Sequence, residues 1–167
     1  MTKEAIQTFS YRISQASRSE LVVILYDMAC GYLDDAKQIL ELNDEIRGED
    51  SAVIDYIDAL RKCGRVIDLL IKGLDFQYEI SNNLFHIYLY IKQELVKCTA
   101  HRKSEQLQHI KGLLCQLRAS FYEVSKTDKS GPLMKNTQQV FSGLTYSAFG
   151  SSNEIAGNVN SNRGFTV

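Results

Sequence analysis

The first 130 residues of this chain contain no proline, and their glycines are limited to Gly31, Gly48, Gly64, Gly73 and Gly112. Proline removes a helix hydrogen bond and clashes with the preceding turn, and glycine punctuates strands and turns. A sandwich or barrel needs a turn signal every 8–12 residues, roughly, and this stretch has none at that density. The feature therefore points to an all-α chain. Pro132 and five glycines (Gly131, Gly143, Gly150, Gly157, Gly164) fall in the remaining part, which changes character accordingly.

The helical reading can be divided. Ser17-Arg18-Ser19-Glu20 has Ser at the N-cap and Glu at N3, a capping box directly ahead of an apolar run. The helix it opens carries Leu21, Ile24, Leu25, Met28, Tyr32, Ala36, Ile39 and Leu40 at steps of mostly three and four, and is expected to reach about Asn43. A polar loop over 43–50 follows. A second helix fits about 51–74 through Val53, Ile57, Leu60, Gly64, Ile67, Ile71 and Leu74. A third fits about 77–99 through Ile80, Leu84, Ile87, Tyr88, Ile91, Leu95 and Cys98. A fourth starts near Ser104 and runs through Leu107, Ile110, Leu114, Leu117, Phe121 and Val124. Helices of similar length joined by short loops favour an antiparallel, up-and-down four-helix bundle. The expected organisation is a short N-terminal segment at 1–16, a bundle at 17–126, and a mostly disordered Gly/Ser/Asn-rich tail at 127–167. Within the tail, Val140–Tyr146 and Phe165 are apolar islands. They read either as parts of a frayed terminus or as a docking motif.

Composition excludes several function classes. With 19 basic and 20 acidic residues the net charge is −1, so no nucleic-acid partner is expected. The longest apolar run near the start, Leu21–Tyr26, is far short of a span, and the opening residues lack a signal-peptide core, so no membrane insertion is expected. The four cysteines, at 30, 63, 98 and 115, have no close pair and read as small buried hydrophobes in a reducing compartment. No phosphate loop, dinucleotide fingerprint, nucleophile elbow or Glu-x-x-His pair is present, so neither a cofactor nor a metal is expected.

One alternative comes from another class. Histidine phosphotransfer bundles carry Lys and Gly three and four residues after their exposed His. Here His109-Ile110-Lys111-Gly112 is one residue shorter, which rotates Lys and Gly by about 100° around the helix.

The third helix has more apolar surface than a bundle core requires. Beside its core stripe runs a second one of Phe85, Leu89 and Val96, and the second helix shows a similar surplus at Val66 and Leu70. A helix apolar on two faces needs a second cover. The plainer reading makes Phe85 and Leu89 ordinary boundary residues. The sharper one makes Phe85, Leu89, Val66 and Leu70 the lining of a groove that takes an amphipathic partner helix.

Three further segments are distinctive: Ala16-Ser17-Arg18-Ser19-Glu20-Leu21 running into Ile24-Leu25-Tyr26-Asp27, then Leu74-Asp75 with Glu79–Leu84 and Ile87–Tyr90, and finally Leu113–Phe121. In this order and spacing they resemble the FliS family of flagellar secretion chaperones. Arg18, Tyr78, Ser81 and Phe121 stand where the family commonly has Pro, Gly, Ala and Trp; position 18 is N1 of a helix, where proline is favoured. The resemblance implies a cytoplasmic, cofactor-free, non-enzymatic α-helical chaperone. Such a protein binds the C-terminal segment of unassembled flagellin, prevents premature polymerisation and delivers its client to the flagellar type III export apparatus, with an export-gate component as a further partner. It also implies importance for Tyr26, Asp27, Asn83 and Tyr88, as partner contacts or as packing.

Overall fold

The computed structural model describes residues 3–42 and 51–134. These form five helices and no strand: α1 (Lys3–Gln15), α2 (Arg18–Leu42), α3 (Ser51–Lys72), α4 (Glu79–His101) and α5 (Ser104–Thr127). The all-α expectation matches. The expected four helices become five, because the N-terminal segment is itself a helix. The loop 43–50, the Val140–Tyr146 motif and the rest of the tail beyond 134 lie outside the described residues.

The capping box at the start of α2 forms as its sequence demands. The Ser17 N–H donates to Glu20 Oε2 at 2.8 Å, and the Glu20 N–H donates to Ser17 Oγ at 3.3 Å. Two N–H groups without intrahelical partners are thereby satisfied reciprocally. At the other turn that matters, Arg102 takes the left-handed conformation (φ 49°) and its N–H donates to the Cys98 carbonyl at 3.0 Å. That left-handed residue ends α4 and lets two residues, Arg102 and Lys103, reverse the chain into α5.

Side-chain pairs give the relative directions of the helices. Asp27 pairs with Arg118, Cys30 faces Cys115, and Asp34 pairs with Lys111, so α2 and α5 are antiparallel. Tyr56 bonds to Cys98 and Asp68 pairs with Lys92, which makes α3 and α4 antiparallel. Tyr90 meets His109 and Cys98 meets Gln106, which does the same for α4 and α5.

The core is one cluster drawn from α2 to α5. On α4 the buried positions are Ser81, Leu84, Tyr88, Ile91, Leu95 and Cys98. Ile80, expected in this stripe, is instead 65% exposed, and the buried position in the first turn of α4 is Ser81. Val66 and Leu70, set apart above as surplus, are buried members of the core. Cys30, Cys63 and Cys98 are buried as expected, whereas Cys115 is exposed.

The backbone of α2 runs close along α3 and α5, and α4 stands farther from α3 and α5. Residue size accounts for this. The buried positions of α2 and α3 include Ala29, Cys30, Ala36, Ala59 and Cys63, whereas all but two of α4's buried residues are large. Interaxial distance follows the side chains at the contact. One ion pair, Lys92–Asp68, joins α4 to α3. A half-exposed pair of that kind contributes at most about 1 kcal/mol, against about 1.5–3 kcal/mol for each fully buried Leu or Ile. Packing, not charge, holds α4.

Candidate functional site

The stand-off of α4 leaves a cleft on each of its flanks. The cleft toward α3 measures about 330 Å³. Its floor is Ile57, Leu60 and Leu95, its charged edge is Arg61, Arg65, Asp68 and Lys92, and Val96 and Gly64 line it. The cleft toward α5 is larger, about 570 Å³, between His86, Ile87 and Tyr90 on one side and His109, Leu113 and Leu117 on the other. An apolar floor beneath polar edges is the surface an amphipathic helix can occupy.

The residues singled out from sequence divide into three groups around these clefts. Phe85 and Leu89 share a face of α4 with Lys92 and Val96, at helical steps of three and four. Leu89 is 38% exposed and Val96 69% exposed. Phe85 is half-buried, with Phe76 of the α3–α4 link edge-on to its ring at 5.7 Å. Val66 and Leu70 lie beneath the surface in the core. Asn83 is exposed in the first part of α4.

Tyr26, Asp27 and Tyr88 belong to the frame. The hydroxyls of Tyr26 and Tyr88 hydrogen-bond to each other in the core between α2 and α4. Phe121 packs on Tyr26 with ring centroids 5.6 Å apart. Burial raises both tyrosine hydroxyls above their ordinary pKa, and for Tyr26 the bond to Tyr88 adds to the rise. Asp27 accepts from Arg118 on α5 and from Arg12 Nη2 on α1 at 2.7 Å. Burial pushes its carboxyl up, and the two guanidinium groups outweigh that and hold it below its usual value. Arg12 also lies over the Phe9 ring, 5.6 Å from its centroid. Asp27 thus joins three helices, α1, α2 and α5.

Sequence reading missed the α4–α5 cleft. Tyr90 Oη lies 3.4 Å from His109 Nε2, with the rings perpendicular. The signal was available as the 86/90 and 109/113/116/120 spacings, each one helical face. Lys111 is committed to Asp34 of α2 at 2.6 Å. His109 therefore lacks the covering lysine that a phosphotransfer site uses. Among the described residues no cluster of three or more His, Cys, Asp or Glu is placed to hold a metal ion, and no helix is long and apolar enough to cross a membrane.

The sequence matches the family described as flagellar protein FliS over residues 1–128, which takes in all five helices and both clefts. The chain belongs to the FliS family. A flagellar chaperone role follows at that level. None of the curated proteins compared matches the chain. Against the FliS pattern, Arg18 is the first residue of α2, where it costs the helix start nothing, and Ser81 is buried where the family commonly has alanine.

Proposed function

We propose that this chain is a cytoplasmic flagellar export chaperone that binds the C-terminal segment of unassembled flagellin. It keeps that segment from polymerising early and delivers it to the flagellar type III export apparatus, where a gate component is a further partner. The observation that carries this reading is the apolar face of α4, with Leu89 and Val96 exposed beside the cleft toward α3. Family membership supplies the client class.

A helical client segment laid along α4 would cover Phe85, Leu89 and Val96 and place its own charges against Arg61, Arg65 and Lys92. Val66 and Leu70 belong to the buried core, and Tyr26, Tyr88 and Asp27 hold the frame to which α4 is attached. Asn83 meets the client at the N-terminal end of α4. The client gains order only on binding, which moderates its affinity and permits release at the gate. The chemistry is binding, and no step of it requires catalysis.

The test is calorimetric titration of a flagellin C-terminal peptide into wild type and into Leu89→Asp/Val96→Asp. Both positions are exposed, so circular dichroism should stay at the wild-type value. Affinity should fall at least tenfold, or about 1.4 kcal/mol. Unchanged affinity with unchanged helicity would remove this face of α4 from the site.

A further inference from the structure

Three rungs connect α2 to α5 in antiparallel register. The outer two are ion pairs, Asp27 with Arg118 and Asp34 with Lys111. The middle rung is a pair of thiols, Cys30 and Cys115, with their sulfurs 3.9 Å apart. Cys30 is buried on α2, and Cys115 on α5 is exposed. Burial therefore does not account for a cysteine at position 115, as it does for Cys63 and Cys98. Nor is the approach accidental in register. The ion pairs stand about one helical turn to either side and share the register that core packing gives the two helices.

We propose that Cys30 and Cys115 form a reversible thiol–disulfide site that staples α2 to α5 when the chain meets a low-molecular-weight disulfide. The exposed Cys115 sulfur attacks one sulfur of the reagent RSSR. The reagent bond breaks, a mixed disulfide forms at Cys115, and one RSH leaves with the proton that Cys115 gave up. Cys30 then attacks the Cys115 sulfur, the mixed disulfide breaks, and a second RSH leaves with the Cys30 proton. In sum, two protein thiols lose two hydrogens and two electrons, and RSSR becomes two RSH.

Two features suit the pair to this exchange. The sulfurs lie 3.9 Å apart, in van der Waals range, and must close to a bond length of about 2.05 Å. The partners are 85 residues apart in sequence, so the bridge would close a long loop, the case in which a cross-link restricts the unfolded chain most. Cys30 has a thiol pushed up to about 12, by burial first and by the facing Cys115 second. That fits a buried resolving thiol and leaves first attack to the exposed partner.

The experiment exposes the full chain to oxidised glutathione, then denatures it, alkylates the free thiols and weighs the intact protein. Wild type is expected to lose two hydrogens and to retain two alkylatable thiols of its four cysteines. Cys30→Ala should stop at a glutathione adduct on Cys115, and Cys115→Ser should keep all its thiols. The oxidised wild type should unfold on the order of 5 °C higher than the reduced form. Dithiothreitol should reverse both the mass change and the shift. Four alkylatable thiols in treated wild type, or loss of two hydrogens that persists in Cys115→Ser, would overturn the proposal. So would a cross-linked dimer in place of the internal bridge, or an unfolding midpoint that does not move.

Discussion

The side of the molecule built by α2, α3 and α5 and the side built by α4 solve the same packing problem differently. On the first, Ala29, Ala36 and Ala59 let backbones approach, and Asp27–Arg118 and Asp34–Lys111 pair across α2 and α5. On the second, Leu84, Tyr88, Ile91 and Leu95 hold α4 at arm's length, and a cleft opens along each flank. The contrast shows how one helical core can hold a close-packed side and a clefted side without a separate domain. The choice between small and large residues at the buried positions of each helix decides which side opens.

The comparison can be broken most sharply on its tight side. Ala29 is fully buried on α2. Ala29→Leu should lower stability by about 3 kcal/mol, since added methylenes in a close-packed contact force off-rotamer side chains and backbone shifts. Val96→Leu, into the cleft, should stay within about 0.5 kcal/mol. Urea unfolding of both variants checks the pair. Equal costs would mean that the two sides are packed alike.

A smaller effect is expected at the junction between the sides, where the Tyr26 and Tyr88 hydroxyls meet. Tyr26→Phe leaves Tyr88 without its buried partner and should cost about 1–2 kcal/mol, whereas Tyr26→Phe/Tyr88→Phe should recover most of that loss. The same pair sets an alkaline limit. Burial raises the folded-state pKa values of Tyr26, Tyr56 and Tyr88 above the unfolded value of about 10. Their stabilising contribution is complete below that pH and is lost as pH rises toward the folded-state values, because the unfolded chain then releases protons that the folded chain retains. Unfolding midpoints measured from neutrality to alkaline pH should fall above about pH 10, less steeply in the double variant.

The smallest effect tests the cleft itself. Gly64 sits inside α3 and lines the cleft, and a Cβ built there meets nothing within 4 Å. Gly64→Ala should raise stability by about 0.5–1 kcal/mol, the ordinary helix-interior difference. If a client helix lies against this glycine, the added methyl should weaken peptide binding while stabilising the free protein. A parallel rise in both quantities would separate the cleft from the binding surface.

Much of this frame could be read from the chain. The Ser17–Glu20 capping box placed the start of α2 because its two hydrogen bonds are local. Leu84, Tyr88, Ile91 and Leu95 were legible as core from their spacing alone. The helix α1 was not, although Ile6, Phe9 and Ile13 stand at helical steps, because it buries no residue of its own. Its attachment through Arg12 depends on a carboxylate 15 residues later in the chain. Val66 and Leu70 looked like surplus because periodicity gives the phase of a face but not its width. A groove between α3 and α4 was expected, but the α4–α5 cleft and the width of both were illegible for a related reason: they depend on distances between helix axes, which sequence spacing within one helix does not contain. The meeting of Cys30 with Cys115 is likewise a product of register between two helices, set by packing that becomes visible only in three dimensions.

The end of α5 returns to the junction of α1 and α2. Ser19 hydrogen-bonds to Asp128, and the Leu133 N–H donates to the Ala16 carbonyl at 3.0 Å. Bonds from Ser130 and Ser19 hold the Asp128 carboxyl below its usual pKa. These bonds tie the chain that follows α5 to the start of α2, so that segment is fastened by hydrogen bonds and not by burial: Leu133 and Met134 stay about half exposed.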